Sequence, residues 1–420
     1  MGATGELCLK NDRYPRRCFH DGERVNRPMT LMSSFRNVMT LATLAAGIAA
    51  AGQTQTPATD QAPAPAAAAP AATPDATPKP WRIAKFDVSG FADGFYTNNQ
   101  NHPTESANGK MNDLYNFNQD ANQPALSAVK LTLNHDPAPV GAHFDFIYGR
   151  TNKLINAPNQ LDWVEQAFIS IKPPKAKGFE ADLGKFVTAM GAETIEAKDN
   201  WNYSRSLLFA WAIPYWHFGL RSTMPVSKTD TVGLELVNGW NNITHNTGGV
   251  TAMLMNTYVQ PKYTWSLNFC TGPNNTPGQD AYRNTLDTTV LLTPSSKFNA
   301  YVNFDYGQNH NKLTHGAGDT THAPWYGIAV AAHQQLTPRF AVAGRTEYFK
   351  DDKGYATGTA QSLKEFTGTV EYHWKVGLIS RAEYRHDWSD QASFHRNATD
   401  MTKDQQTFTI GMIAIIAPSR

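Results

Sequence analysis

The sequence predicts an all-β chain that closes into an antiparallel transmembrane β-barrel of about sixteen strands. Three observations lead there. Runs of strand length alternate apolar and polar residues, the joins between them alternate short and long, and the polar half of the alternation carries charge. In 262–272, KYTWSLNFCTG, Tyr263, Trp265, Leu267 and Phe269 fall on one side of an extended chain. Thr264, Ser266, Asn268 and Cys270 fall on the other, because successive strand side chains point to opposite faces.

The bulk properties leave room for this fold. The 420 residues suffice for two ordinary domains or one large barrel, and a net charge of +1 gives no nucleic-acid footprint. Mean hydropathy is −0.46 with one strongly apolar segment, which argues against a multi-span helical protein. A barrel remains open, since its strands average out as polar.

Residues 1–28 have no apolar periodicity and read as an extension ahead of the true start, at Met29 or Met32. Residues 29–51 read as a signal peptide. Arg36 gives the positive end, Val38 to Ala50 an apolar run too short to span a bilayer, and Ala49-Ala50-Ala51 a small-residue cleavage site. Residues 52–80, rich in Ala, Pro and Thr, read as an extended, disordered linker. Of the three cysteines, Cys8 and Cys18 precede the cleavage site. Cys270 is left alone, with neither a disulfide partner nor the company a Cys-based metal site needs.

The barrel is expected over 81–420. Strand-like runs fall at 85–97, 125–136, 140–151, 161–172, 178–190, 216–225, 231–240, 250–260, 262–272, 283–293, 297–308, 324–335, 339–349, 363–374, 376–388 and 405–416. Every second join is brief, several built on proline: Pro137-Ala138-Pro139, Pro173-Pro174, Pro261, Pro294 and Pro338. The joins between are longer, clearest at 98–124, 191–215, 309–323, 350–362 and 389–404. Outer-membrane barrels sort their loops this way, with brief periplasmic turns and long outer loops; a soluble sandwich has no reason to. An even strand number puts both ends on the short-turn side.

The alternation assigns the faces. Phe298, Val302, Phe304 and Tyr306 oppose Asn299, Asn303 and Asp305; Val129, Leu131 and Leu133 oppose Lys130, Thr132 and Asn134. Apolar faces are expected against lipid, because an Arg at the bilayer midplane costs about 2–4 kcal/mol. Trp81, Tyr148, Trp163, Trp216, Tyr258, Trp325 and Trp374 lie near strand ends, as interfacial girdles require. The inward set is then Lys130, Asp145, Arg221, Glu235, Asp305, Arg345, Glu347, Arg381, Glu383 and Arg385, expected to line the pore. Sixteen strands enclose an interior too wide for side chains to fill, which leaves a water channel. Two runs do not sort: Glu165 shares a face with Trp163 and Ile169, and Lys185 with Phe179 and Leu183.

Residues 184–242 carry a family resemblance. The run GKFVTAMGAETIEAKDNWNYSRSLLFAWAIPYWHFGLR, with VSGFADGFYTNN at 88–99 and VNGWNN at 237–242, resembles the second, OmpL-like type of β-barrel porin of Gram-negative bacteria. The final IIAPSR departs from the terminal aromatic usual in such barrels. The resemblance implies a porin of the cell outer membrane, passive diffusion of small hydrophilic solutes, and contact with outer-membrane lipid, lipopolysaccharide and the barrel-assembly machinery. It allows a homotrimer, and it implies neither cofactor nor nucleic acid. The long join 191–215 has a charged half (Glu193, Glu196, Lys198, Asp199, Arg205) and an apolar half (Leu207 to Ile213). Folded into the barrel it would narrow the pore; packed on the inner wall it would be a structural plug.

Other classes have less support. Neither G-x-S-x-G nor H-E-x-x-H occurs, and no enzyme is expected. His310, His315 and His322 share one loop and are taken as solvated, so no metal is assigned. Arg381, Glu383, Arg385 and Asp387, at period two, form a charge ladder rather than an acid/base pair. The rival reading is a non-conducting outer-membrane anchor barrel, tethered through the Ala/Pro linker.

Overall fold

The computed structural model describes residues 81–156, 161–244, 249–274, 279–313, 320–375 and 377–417. The expected extension, signal peptide and linker at 1–80 lie outside them.

The barrel strands are β1 Phe86–Asn99, β2 Pro124–His135, β3 Val140–Tyr148, β4 Val164–Ile171, β5 Glu180–Val187, β6 Trp216–Pro225, β7 Asp230–Val237 and β8 Thr251–Gln260. They continue with β9 Tyr263–Pro273, β10 Gln279–Leu292, β11 Phe298–Leu313, β12 Thr320–Gln335, β13 Phe340–Asp351, β14 Gln361–Lys375, β15 Leu378–Ser389 and β16 Asp404–Ala417. Each pairs antiparallel with its sequence neighbours, and β16 pairs with β1 from Thr407↔Asn99 to Ala417↔Gly90. The sheet is therefore a closed sixteen-stranded barrel, as the alternation predicts. Closure removes the open edges that an isolated sheet would expose. Among the described residues no helix is long and apolar enough to cross a membrane.

The faces follow the sequence pattern. Leu183, Ile410, Leu131 and Val302 are exposed on the outside, whereas Asn299, Asn303, Asp305 and Arg345 are buried on the inside. In β9, Asn268 and Cys270 are buried and Tyr263 is exposed. Leu267→Arg is accordingly expected to cost about 2–4 kcal/mol of barrel stability, and Ser266→Arg far less. Refolding yield into lipid vesicles measures this; equal yields for the two variants would contradict the face assignment.

Both unsorted runs have local causes. In β4 the register against β3 slips: Asp145 pairs with Gln166, but Phe146 pairs with Val164. Glu165 is the extra residue of a β-bulge, which reverses the alternation, so Glu165 is buried while Ile169 is exposed. Lys185 does fall on the outward parity with Leu183, yet it is fully buried. Its Nζ donates to the Val164 carbonyl at 2.7 Å and to the Asn156 side chain, and it sits 4.1 Å from the centre of the Trp216 ring. The loop between β3 and β4, which carries α1 (Arg150–Ile155), and the first residue of β4 thus supply acceptors that hydrocarbon could not.

One join is corrected. Most of 309–323, read as a loop, is strand: β11 runs to Leu313 and β12 begins at Thr320, with His310 opposite His322. Beyond the bilayer no face needs to be apolar, so backbone pairing continues where the sequence alternation has stopped. His310 and His322 rings meet edge-on at 4.7 Å; His315 lies outside the described residues.

Candidate functional site

The long connection from β5 to β6 folds into the barrel. Its neck closes where the Thr188 amide donates to the Tyr215 carbonyl at 3.0 Å. Gly191 makes the entry turn at φ +89°, and a Cβ there would lie 2.6 Å from the Ile213 side chain, so both the turn and the close approach call for glycine. A short 3₁₀ turn at Ala197–Asp199 forms the tip. Asn200 ties the hairpin together: its Nδ2 donates to the carbonyls of Thr194 and Glu196, and its Oδ1 accepts the Thr194 amide at 2.9 Å. The Arg205 guanidinium donates to the carbonyls of Thr194, Ile195 and Tyr203, an internal strut for backbone that no sheet satisfies.

The wall holds this loop with side chains. Glu383 of β15 accepts the backbone amides of Tyr203 and Ser204 at 2.5 and 2.9 Å. Glu347 of β13 accepts those of Leu207 and Leu208 at 3.0 and 3.2 Å. Arg345 contacts Glu193 at 2.7 Å, Glu347 at 3.1 Å and Glu365 at 3.2 Å, and donates to the Ser204 carbonyl at 2.8 Å. Arg381 pairs with Glu371 at 2.6 Å and donates to the Ala197 carbonyl. Arg385 pairs with Asp387 at 2.8 Å and donates to the Arg205 carbonyl at 2.7 Å. Asp93 of β1 accepts the Tyr203 hydroxyl at 2.7 Å.

On β2, the neighbour of β1, the tip meets Lys130, whose ammonium lies 2.8 Å from both Asp145 and Glu165 and also pairs with Glu196. Burial alone would raise the Glu196 carboxyl; Lys130 and Lys198 outweigh it and hold it below the ordinary carboxylate range. The oxygens of Asp145, Glu165 and Glu196 lie within 4.8 Å of one another, spacing that would suit a metal ion, but the Lys130 ammonium already serves the three of them.

A second layer covers the apolar half of the loop. Leu208–Ala212 form a single π-helical turn. The connection from β1 to β2 lies on it: Trp211 donates to the Leu114 carbonyl at 3.0 Å, Asn116 to the Ala210 carbonyl at 2.7 Å, and Phe117 meets Tyr215 edge-on at 5.4 Å.

Of the ten wall residues named from sequence, Lys130, Arg345, Glu347, Arg381, Glu383 and Arg385 touch the loop, with their heads buried beneath it, and Asp145 joins them through Lys130. The other three sit elsewhere on the inner wall. Arg221 pairs with Asp182 at 2.8 Å and packs over the Phe186 ring; Glu235 lies 4.0 Å from His217; Asp305 stands opposite Asp287 in the ladder. Of the five loop residues, Glu193 and Arg205 are buried in this network, and Glu196 is partly buried within it. Lys198 and Asp199 pair at 2.5 Å at the tip, where the Asp199 side chain is 41% exposed. Asp93, Asp182, Glu365 and Glu371 were missed, although each falls on the inward parity of its strand.

The comparisons agree with this architecture. A family model described as "Putative beta-barrel porin-2, OmpL-like" matches residues 85–416. No curated protein matches the chain. Among solved structures, the outer membrane channel DcaP of Acinetobacter baumannii superposes with a TM-score of 0.57 at 11% identity, over 80% of this chain and 99% of that one. The anion-selective porin of Comamonas acidovorans gives 0.53 at 10% identity, over 79% and 99%. OmpF of Salmonella typhi, solved with daunomycin, gives 0.52 at 13% identity, over 78% and 97%.

Proposed function

Because the chain belongs to the OmpL-like β-barrel porin-2 family, we propose that it is an outer-membrane porin through which small hydrophilic solutes diffuse passively, past a constriction formed by loop 191–215. The observation that carries this reading is the attachment of that loop to the inner wall by Glu383, Glu347, Arg345 and Lys130. A loop fixed this way sets the bore of the barrel and puts Lys198 and Asp199 beside the solute path. No catalytic step is needed. Export through a cleaved signal peptide, insertion by the barrel-assembly machinery, contact with lipopolysaccharide and assembly as a homotrimer belong to the same proposal.

Planar-bilayer recording of the purified protein is the test. Removing 192–212 is expected to raise single-channel conductance several-fold. A conductance that the deletion leaves unchanged refutes the constriction, and a folded full-length barrel that passes no current favours the anchor reading instead.

A further inference from the structure

The inward cations of the wall are nearly all neutralised at contact distance. Lys130, Arg221, Arg345, Arg381 and Arg385 each have a carboxylate within 3 Å. Arg283 of β10 does not. It lies near the loop-side end of its strand, opposite Asn309, and among the described residues it forms no ion pair. Its hydrogen bond there runs from Nη2 to the Tyr355 hydroxyl oxygen, and its buried Nε has no acceptor.

Aromatic rings and amides hold this guanidinium in place. Its carbon lies 4.4 Å from the centre of the Trp240 ring and 5.3 Å from that of Tyr355. Tyr355 stacks on Trp325 at 5.3 Å, and Trp325 is anchored to the constriction loop by its indole N–H on the Ala212 carbonyl at 3.0 Å. Asn274 donates to the Tyr355 hydroxyl oxygen at 2.7 Å and to Asn309 at 3.1 Å. The carboxylate of this corner, Asp351, is engaged by the amides of Tyr355, Ala356 and Thr357 at 2.7–2.9 Å. With two N–H groups donating to its oxygen, the Tyr355 hydroxyl keeps its own proton to offer outward.

We propose that Arg283, with Tyr355 and Asn274 beside it, forms a subsite for the carboxylate of a small solute at the loop-side mouth, above the constriction. A weakly hydrated guanidinium held on aromatic faces and left without a counter-ion binds a carboxylate by charge-assisted hydrogen bonds. Its charge also draws anions to the mouth, since no carboxylate lies at contact distance to cancel it among the described residues. This inference rests on the porin reading and adds a solute class to it.

The full chain, folded in detergent, is titrated with sodium benzoate and, separately, with glucose, while tryptophan fluorescence is followed. Benzoate is expected to shift the signal and glucose not to. Arg283→Gln is expected to weaken the benzoate response about tenfold, and Arg283→Lys to weaken it less. Both variants are checked for the folded barrel by their heat-dependent migration on gels. An unchanged response in folded Arg283→Gln, or none in the wild type, overturns the subsite. Bilayer current is read on the same preparations: current without a benzoate response sinks the subsite alone, and a benzoate response without current sinks the porin reading alone.

Discussion

Arg345→Ala is expected to free the inward loop and raise single-channel conductance several-fold, while lowering the melting temperature of the barrel. The wild-type guanidinium touches Glu193 of the loop and Glu347 and Glu365 of the wall, all buried. Its loss leaves three carboxylates facing one another out of water. Breaking a buried charge cluster by removing one partner costs about 3–5 kcal/mol. The cheapest relief is to let Glu193 leave, which pulls residues 193–206 off the wall. Arg345→Lys keeps the charge but loses the planar fork that reaches Glu193, Glu365 and the Ser204 carbonyl together, so an intermediate conductance is expected. If Arg345→Ala does not assemble, Arg345→Met combined with Glu193→Gln and Glu365→Gln removes the cation with two of its three carboxylates and leaves Glu347 on the Leu207 and Leu208 amides, which is far less disruptive. Wild-type conductance in a folded Arg345→Ala barrel would show that the loop is held by something else.

Much of this could be read from the chain itself. Period-two alternation identified all sixteen strands and most of their lipid and inner faces, because the bilayer imposes that sorting residue by residue; Trp216 and Trp325, read as girdle residues, are instead buried. Alternation of join lengths identified the closed topology for the same reason. Alternation is weakest where the bilayer has no say. It stops at Gln308 although the β11–β12 hairpin continues, and the bulge at Glu165 breaks it in the middle of a strand. The candidate site was half legible. Arg345, Glu347 and Glu383 were identifiable as inward charges, and Glu193 to Arg205 as a charged loop. What the sequence could not supply was their pairing. Glu383 and the Tyr203 amide stand 180 positions apart, Arg345 and Glu193 152 apart. Nothing local records that the charges meant for water are instead spent on backbone amides. Arg283 was passed over for the opposite reason: it stands out only once every other wall cation is seen with its carboxylate.

Lys130→Ala is expected to convert the tip contact into a divalent-cation site. The substitution leaves Asp145, Glu165 and Glu196 with oxygens within 4.8 Å of one another and no cation shared by the three, Lys198 touching Glu196 alone of them. Without a ligand the variant is expected to melt at a lower temperature than the wild type and to conduct more, since the tip loses its anchor. Calcium takes six to eight hard oxygen ligands at about 2.3–2.6 Å, and three converging carboxylates with water complete such a shell. Millimolar calcium is therefore expected to restore most of the lost melting temperature in Lys130→Ala and to leave the wild type unchanged, because Lys130 occupies the position. Chelation reverses the effect, and adding Glu196→Gln abolishes it by removing the ligand that the loop contributes. The last comparison separates a clamp that draws the tip to the wall from general calcium binding to lipid or surface acids: a calcium shift that survives in the double variant, or none in Lys130→Ala, contradicts the assignment of Lys130 as the shared counter-ion between loop and wall.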